Sequence, residues 1–341
     1  MQMKNKPAAL QLVSANPRPD IEQLRLITKA ARMHYNNGAR QMEIADKLGI
    51  SQAGVSRLLR LAEEYGIVRS VVVPPEGLYP DLEDDLAKRF GLDVAYVVDG
   101  GSTEASLPQI LGAAAARCLT PEFETGSVLG FTSWSTTLRE MAQVLEPQQS
   151  SKIRLVVETL GDLGSPMLQH EADVATLQIA KSLEAEAVFL RAPGVMSSAT
   201  LRNAVVADSH VQRAIRQLDK LDIAFVGIGP ADFHGPLEAG DNFFTAKQLA
   251  EVRALGAVGQ LHQRFIDANG KPVATPLDDL VIGISLDQLR RAKRRIAVAG
   301  GKSKHQALAA ALNGKWLDVL VTDANSAISL LADAKIKKER T

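Results

Sequence analysis

From residue 94 to residue 323 the chain alternates between short apolar runs and amphipathic stretches, and few folds accept that alternation. The runs are "VAYVVD" (94–99), "SVLGF" (127–131), "IRLVVETLG" (153–161), "AVFL" (187–190), "IAFVGIG" (223–229), "DLVIGIS" (279–285), "RIAVAGG" (295–301) and "LDVLVTD" (317–323). Runs of consecutive aliphatic residues suit strands buried on both faces. Helical spacing falls between several of them, at 104–118, 136–146, 170–184, 202–219 and 303–313. Strands that alternate with helices imply a largely parallel sheet covered on both sides. The expected fold class is therefore α/β, with a large Rossmann-like body.

A different kind of sequence lies ahead of this body. In "EIADKLGISQAGVSRLLRL" (43–61), one helix is expected over Gln41–Leu48 and a second over Gln52–Glu64. In the second, Val55, Leu58, Leu59 and Ala62 recur at i, i+3, i+4 and i+7 and form one apolar face. Ser51 is placed to cap it, and Gly49 to end the first helix in a left-handed conformation. Ala45 is small where the two helices must approach. This is the helix-turn-helix pattern, with "IVRSVVVPP" (67–75) as a short strand or minimal wing beside it. The outer face then presents Ser51, Gln52, Ala53, Ser56, Arg57 and Arg60, with Gln41 at the start of the first helix. Arginine can bind guanine bidentately in the major groove, and Gln or Ser can reach base edges or phosphates. These residues are the expected contacts to double-stranded DNA. A helical hairpin with a solvated basic face is the plainer reading.

Charge supports the division. Residues 1–75 carry 11 Lys/Arg against 6 Asp/Glu, a balance of +5, within a chain whose 39 basic and 39 acidic residues cancel. A basic head on an acidic body fits local DNA contact, not the coating of long nucleic acid. The expected organisation is a flexible arm at 1–19, the helix-turn-helix domain at 20–73, a linker at 74–80 and the α/β domain at 81–341. The single cysteine, Cys118, excludes an intramolecular disulfide. No run of about 18 apolar residues suggests a membrane span, and the N-terminus does not read as a secretory signal, so a cytoplasmic location is expected. The six scattered histidines show no metal-ligand spacing, and no cofactor is expected.

Ligands of open α/β sheets bind beyond the carboxyl ends of strands. Three loops qualify. "GFTSWSTTL" (130–138) offers Ser135, Thr136 and Thr137 at a helix start. "TLGDLGS" (159–165) offers Gly161 and Asp162. "AGGKSKHQAL" (299–308) offers Gly300 and Gly301 for close approach, and Lys302 or Lys304 for charge. Hydroxyls, free amides and an ammonium are what a phosphate oxygen needs. Neither a Walker A loop nor a dinucleotide fingerprint is present.

"LGISQAGVSRLLRLAEEYGIV", "SWSTTL", "VGIG" (226–229), "AVGQLHQRFIDANG" (257–270), "VAGGKSKHQALAAAL" (298–312) and "VLVTDANSA" (319–327) follow one another in an order that resembles the SorC family of sugar-responsive bacterial transcriptional regulators. The resemblance runs from about residue 25 to 331. It implies an effector domain similar to sugar-phosphate isomerases and deaminases. It also implies an inducer that is a sugar, sugar phosphate or polyol, and a homo-oligomer, dimer or tetramer, on paired operator half-sites. Ser135, Thr136, Thr137, Gly161 and Lys304 match the family's effector positions. Two positions depart from the family: Ser135 stands where Gly is common, and Gln260, followed by His262, where Asp is common. An enzyme of the isomerase or deaminase type is the alternative. It would need a general base, for which Asp162, Asp267 and Asp323 are the carboxylates near strand ends.

Overall fold

The computed structural model describes residues 20–68, 75–101, 103–232 and 242–339, the last six of these without their side chains. The expected arm at 1–19 lies outside the described residues, and so does most of the expected wing at 67–75. Contacts divide the chain into one compact unit ending at Val73 and another beginning at Pro74.

The first unit is helical. Helix α1 (Ile21–Ala31) starts at Asp20, whose carboxylate accepts from the Gln23 amide at 2.8 Å. It continues into a π turn, Arg32–Asn36. Helices α2 (Gln41–Leu48) and α3 (Gln52–Glu64) have the bounds read from the sequence. Gly49 ends α2 at φ 64°, and the Ser51 hydroxyl accepts from the Gly54 amide at 3.1 Å. Ala30, Ile44, Ala45, Val55 and Leu59 form the shared core, with Leu48, Ile50 and Leu58 packed against it. Each fully buried aliphatic side chain contributes about 1.5–3 kcal/mol.

The second unit opens with α4 (Pro80–Phe90) and then builds a seven-stranded parallel sheet. Its strands are β1 (Val94–Val98), β2 (Val128–Phe131), β3 (Leu155–Glu158), β4 (Glu186–Val188), β5 (Ile223–Phe225), β9 (Arg294–Val298) and β10 (Val319–Asp323). Their order is β1-β10-β9-β5-β2-β3-β4. A smaller antiparallel sheet joins β6 (Ile228–Pro230), β7 (Ala257–Leu261) and β8 (Arg264–Asp267).

Residues alternate between two cores, one on each face of the large sheet. In β10, Leu320 enters one core, while Val319 and Val321 enter the other. Helices α4, α12 (His305–Asn313) and α13 (Ala324–Glu339) cover the first face. Helices α5 (Leu107–Cys118), α6 (Thr136–Val144) and α7 (Pro166–Ser182) cover the second. The remaining helices are α8 (Ala199–Val206), α9 (Ser209–Leu218), α10 (Ala246–Ala254) and α11 (Leu286–Arg291).

Three expectations need correction. The run 223–229 is two strands in two sheets. The chain turns at Gly227, where an added Cβ would lie 2.7 Å from the Thr132 methyl. The run 279–285 is no regular strand. It starts in a 3₁₀ turn, Pro276–Leu280, and its β pairing among the described residues is limited to the single bridges Val281–Val195 and Gly283–Leu160. Its residues are apolar because they are buried: Val281 and Ile282 are both 0% exposed and join clusters that include Leu249 of α10 and Val211 of α9. The helix expected at 202–219 is α8 and α9, separated where Asp208 caps the second.

The two ends of the large sheet differ in chemistry. At the amino ends, Arg294 pairs with Asp93 and, at 2.8 Å, with Glu122, while Arg295 holds Asp318 at 2.9 Å. At the carboxyl ends the chain turns through small and hydroxyl residues. The strand order also reverses there, between β2 and β5, which is where a crevice opens in such sheets.

Candidate functional site

Of the residues expected to meet DNA, Ser51, Gln52, Ala53, Ser56, Arg57 and Arg60 are all exposed. They sit at the start and on the outer side of α3, opposite the buried Val55, Leu59 and Ala62. Arg57 has no ion pair among the described residues, and Arg60 makes an exposed contact with Glu64 at 3.4 Å. Such a surface pair contributes little and yields readily to a phosphate or base. Gln41 is half-buried at the start of α2.

In the second unit, a cavity of about 150 Å³ lies beyond the carboxyl ends of β2, β3 and β5. Thr132, Trp134, Ser135, Thr136 and Leu160 form one side of it. The segment Gly227–Pro230, residues Gln260, His262 and Gln263, and Lys304 complete it. Ser135 caps α6 by accepting from the Leu138 amide at 3.4 Å, so the first turn of that helix faces the cavity. Lys304 is the only cation of the lining, and no carboxylate lines it among the described residues. Burial pushes the Lys304 ammonium below its usual pKa. An anion in the cavity would offset that cost.

The roof is the tight turn between β7 and β8. Leu261 pairs with Arg264, leaving His262 and Gln263 as a two-residue loop. Both have positive φ, 49° and 64°. That is the backbone of a type I′ turn, normally made by Asn-Gly. A left-handed non-glycine residue costs about 1–2 kcal/mol, so the surroundings must hold this pair in place. The Gln260 side chain accepts from the Gln263 amide at 2.7 Å. Gly227 donates its N–H to His262 Nε2 at 3.3 Å. The ring proton therefore belongs on Nδ1, which donates to Thr159 Oγ1 at 3.2 Å. Thr159 in turn donates to the Phe131 carbonyl at 3.2 Å, and Thr132 to the Phe225 carbonyl at 2.7 Å. Burial, reinforced by nearby Arg264, pushes the His262 pKa down to about 3, so the imidazole is neutral. Arg264 beneath the turn donates to the Asp278 carbonyl and, at 3.3 Å, to its carboxylate.

The structure brings together Ser135, Thr136, Gln260 and Lys304, and separates the other expected effector residues from them. Thr137 is buried in α6. Gly161 packs its backbone against Ala192, whose carbonyl would lie 2.4 Å from an added Cβ. The Asp162 amide donates to the Ala192 carbonyl at 2.7 Å, which makes this loop part of the frame. Gly300 and Gly301 face Asp323: the Gly301 amide donates to its carboxylate at 3.1 Å. Gly301 and Lys302 belong to a separate cavity of about 660 Å³ beyond β1 and β10. Sequence reasoning missed Thr132, Trp134, Gly227 and Gln263 as lining residues. Thr132 and Trp134 stand in the "GFTSWSTTL" loop, while Gly227 and Gln263 were signalled only by "VGIG" and "QLHQ", where two glycines and a lone histidine interrupt apolar runs. Among the described residues there is no cluster fit for a metal ion, and no helix is long and apolar enough to cross a membrane.

Residues 73–332 match the family model described as a sugar-binding domain. The chain is 31% identical to the deoxyribonucleoside regulator of Bacillus subtilis, over 92% of this chain and 99% of that protein. It is 29% identical to the sorbitol operon regulator of Klebsiella pneumoniae, over 91% and 98%. The solved full-length structure of that sorbitol operon regulator, SorC, superposes with a TM-score of 0.68 at 27% identity. That match covers 92% of this chain and all of the other.

Proposed function

This chain belongs to the SorC family of sugar-binding transcriptional regulators, and from that premise we propose that it controls a carbohydrate or polyol catabolic operon in response to a small effector. The effector is a sugar, sugar phosphate or polyol held by Ser135, Thr136, Gln260 and Lys304. Double-stranded operator DNA is read by the outer face of α3. Arg57 and Arg60 contact bases or phosphates, and Gln52, Ala53 and Ser56 face the groove. The protein acts in the cytoplasm as a dimer or tetramer, as paired half-sites require.

One observation carries this reading: an exposed arginine with no ion pair among the described residues and a lysine-bearing cavity occur in two separate compact units of one chain. The lining suits an anion or a polyhydroxylated ligand, with one ammonium, three hydroxyls and two side-chain amides. An effector shifts DNA affinity only as far as it prefers one arrangement of the protein over another.

The relatives are named as regulators, and none of the three candidate carboxylates is placed as a general base in the cavity. The Asp267 carboxylate accepts from the Asn269 amide at 2.8 Å and the Lys271 amide at 2.9 Å, so it shapes a turn. Asp323 accepts from Ser326 and Gly301, and Asp162 lies outside the cavity lining.

The test is binding of the full-length protein to DNA upstream of its own gene, with a panel of sugars, polyols and their phosphates. Specific binding that one compound shifts is the expected result. Binding that remains non-specific at low salt would overturn the reading.

A further inference from the structure

Helix α7 is apolar on two sides. Its inner side, with Ala172, Ala175, Thr176, Ile179 and Ala180, is buried. Its outer side carries Met167, Val174 and Leu177, which remain 75%, 38% and 53% exposed. His170 and Lys181 lie on the same outer side and are also exposed. Positions 167, 170, 174, 177 and 181 advance by three, four, three and four. That is the spacing of a coiled-coil seam. A helix that only covers a sheet has one apolar stripe and is otherwise polar. Three large apolar side chains this open form a patch on the order of 300 Å², the scale at which a surface marks an interaction site.

We propose that this outer seam is where two copies of the chain meet, α7 packing antiparallel against α7 of the partner subunit about a two-fold axis at Val174. The proposal gives the homo-oligomer inferred above a specific interface. The seam is symmetric about Val174, since Met167 and Lys181 stand equally far from it in sequence. A two-fold contact requires that self-complementarity, because one patch must serve both sides.

Val174 meets Val174 of the partner subunit. His170 lies opposite the partner's Leu177. Met167 lies opposite the partner's Lys181, whose aliphatic stem covers it while the ammonium stays in water. Charge selects the antiparallel sense. Glu171 flanks the seam toward its amino end, and Lys181 closes the carboxyl end. Antiparallel pairing brings Lys181 within a side chain's reach of the partner's Glu171. The Glu171 side chain is 50% exposed while paired with Arg139 at 3.7 Å, which leaves it open to a second cation. Parallel pairing would set like charge beside like charge.

The test uses the full chain at micromolar concentration, with mass measured by light scattering and sedimentation. Val174→Glu sets two carboxylates face to face on the axis. It should lower the assembly by one level, dimer to monomer or tetramer to dimer, with a dissociation constant raised more than about tenfold. Leu255→Glu, at an exposed position outside α7, should leave the mass unchanged. Circular dichroism should show both variants folded, because both positions are exposed.

Cross-linking gives a second reading in a Cys118→Ser background. Val174→Cys should form a disulfide with its own copy under mild oxidation. Met167→Cys should not, since two copies of that position would lie about 20 Å apart along antiparallel helices. A monomeric wild type would overturn both the oligomer and this interface. A multimer that keeps its mass with Val174→Glu and forms no Val174→Cys cross-link would overturn this interface alone.

Discussion

The exposed polar face of α3 draws six residues from the ten consecutive positions Ser51 to Arg60, whereas the cavity draws its walls from five separate stretches between Thr132 and Lys304. The first arrangement needs only a helix with one buried side. The second needs a sheet, its crossovers and a strained hairpin to be in place before any two lining residues meet. A substitution on α3 should therefore act on one contact at a time. A substitution around the cavity should act on the frame as well as on the ligand.

Gly161→Ala should give the largest effect and separates frame from contact. An added methyl group would lie 2.4 Å from the Ala192 carbonyl, with Gly194 behind it at 3.2 Å. Backbone cannot move aside as a side chain can, so the cost should reach about 3 kcal/mol. Urea unfolding followed by a probe in the second unit should show it. A variant of full stability that has lost only effector response would return Gly161 to the ligand and break the distinction.

Lys304→Met and Arg57→Ala test the two regions against each other. Losing the cavity's ammonium should weaken an anionic effector by about 10–100-fold, as expected for a charge-assisted hydrogen bond of 1.5–3 kcal/mol. DNA affinity without effector should stay the same. Arg57→Ala should cost about 1–3 kcal/mol of specific DNA binding and leave effector binding intact. Calorimetry for one ligand and fluorescence anisotropy for the other would show whether each loss stays in its own unit.

This contrast also explains what the sequence made legible. The helix pair could be bounded to the residue because every signal was local: Ser51 as cap, Gly49 as stop, and a 3.6-residue period. The parallel sheet was legible for a related reason, since burial on both faces writes itself into consecutive apolar residues. Burial without pairing writes the same signature, which is why 279–285 resembled a strand. The β7–β8 hairpin carried no turn signal, because His262 and Gln263 occupy positions where Gly or Asn is expected. Its left-handed pair is imposed by Gln260, Gly227 and Thr159, which are distant in sequence or invisible as partners before the fold is known. Gly300 and Gly301 show the same limit: their small size signals a close approach, but not that the approaching group is the Asp323 carboxylate.

The hairpin predicts a pH dependence of stability. In the unfolded chain His262 takes a proton near its ordinary value of 6.5, and in the folded protein only near about 3. Below pH 6.5 the unfolded state therefore binds more protons, and the stability linked to neutral His262 is lost as pH falls. The slope approaches about 1.4 kcal/mol per pH unit. Glu158 acts with the opposite sign. Burial raises its pKa to about 7 from 4.5, so its contribution falls as pH rises through that interval. The two overlap, and the clean observable is a difference. Between pH 4 and 6.5, wild type should lose more stability on acidification than His262→Gln does. Equal slopes would remove His262 as a buried neutral group.

The smallest expected effect returns to α3 and has the other sign. Gly54 lies in the first turn of that helix, and a glycine there carries an entropic cost relative to alanine. An added Cβ would meet Ser51 Oγ at 3.4 Å and Ile50 Cδ1 at 3.7 Å, both ordinary contacts. Gly54→Ala should therefore stabilise the first unit by about 0.5–1 kcal/mol, read as a higher urea midpoint. Its effect on DNA binding then discriminates between two reasons for the glycine. Unchanged affinity would mean that the position is merely tolerated, as a locally built surface allows. Weaker binding by a more stable protein would mean that the helix start must approach the duplex too closely for a methyl group. In that case even this locally written face depends on a partner that no helical period records.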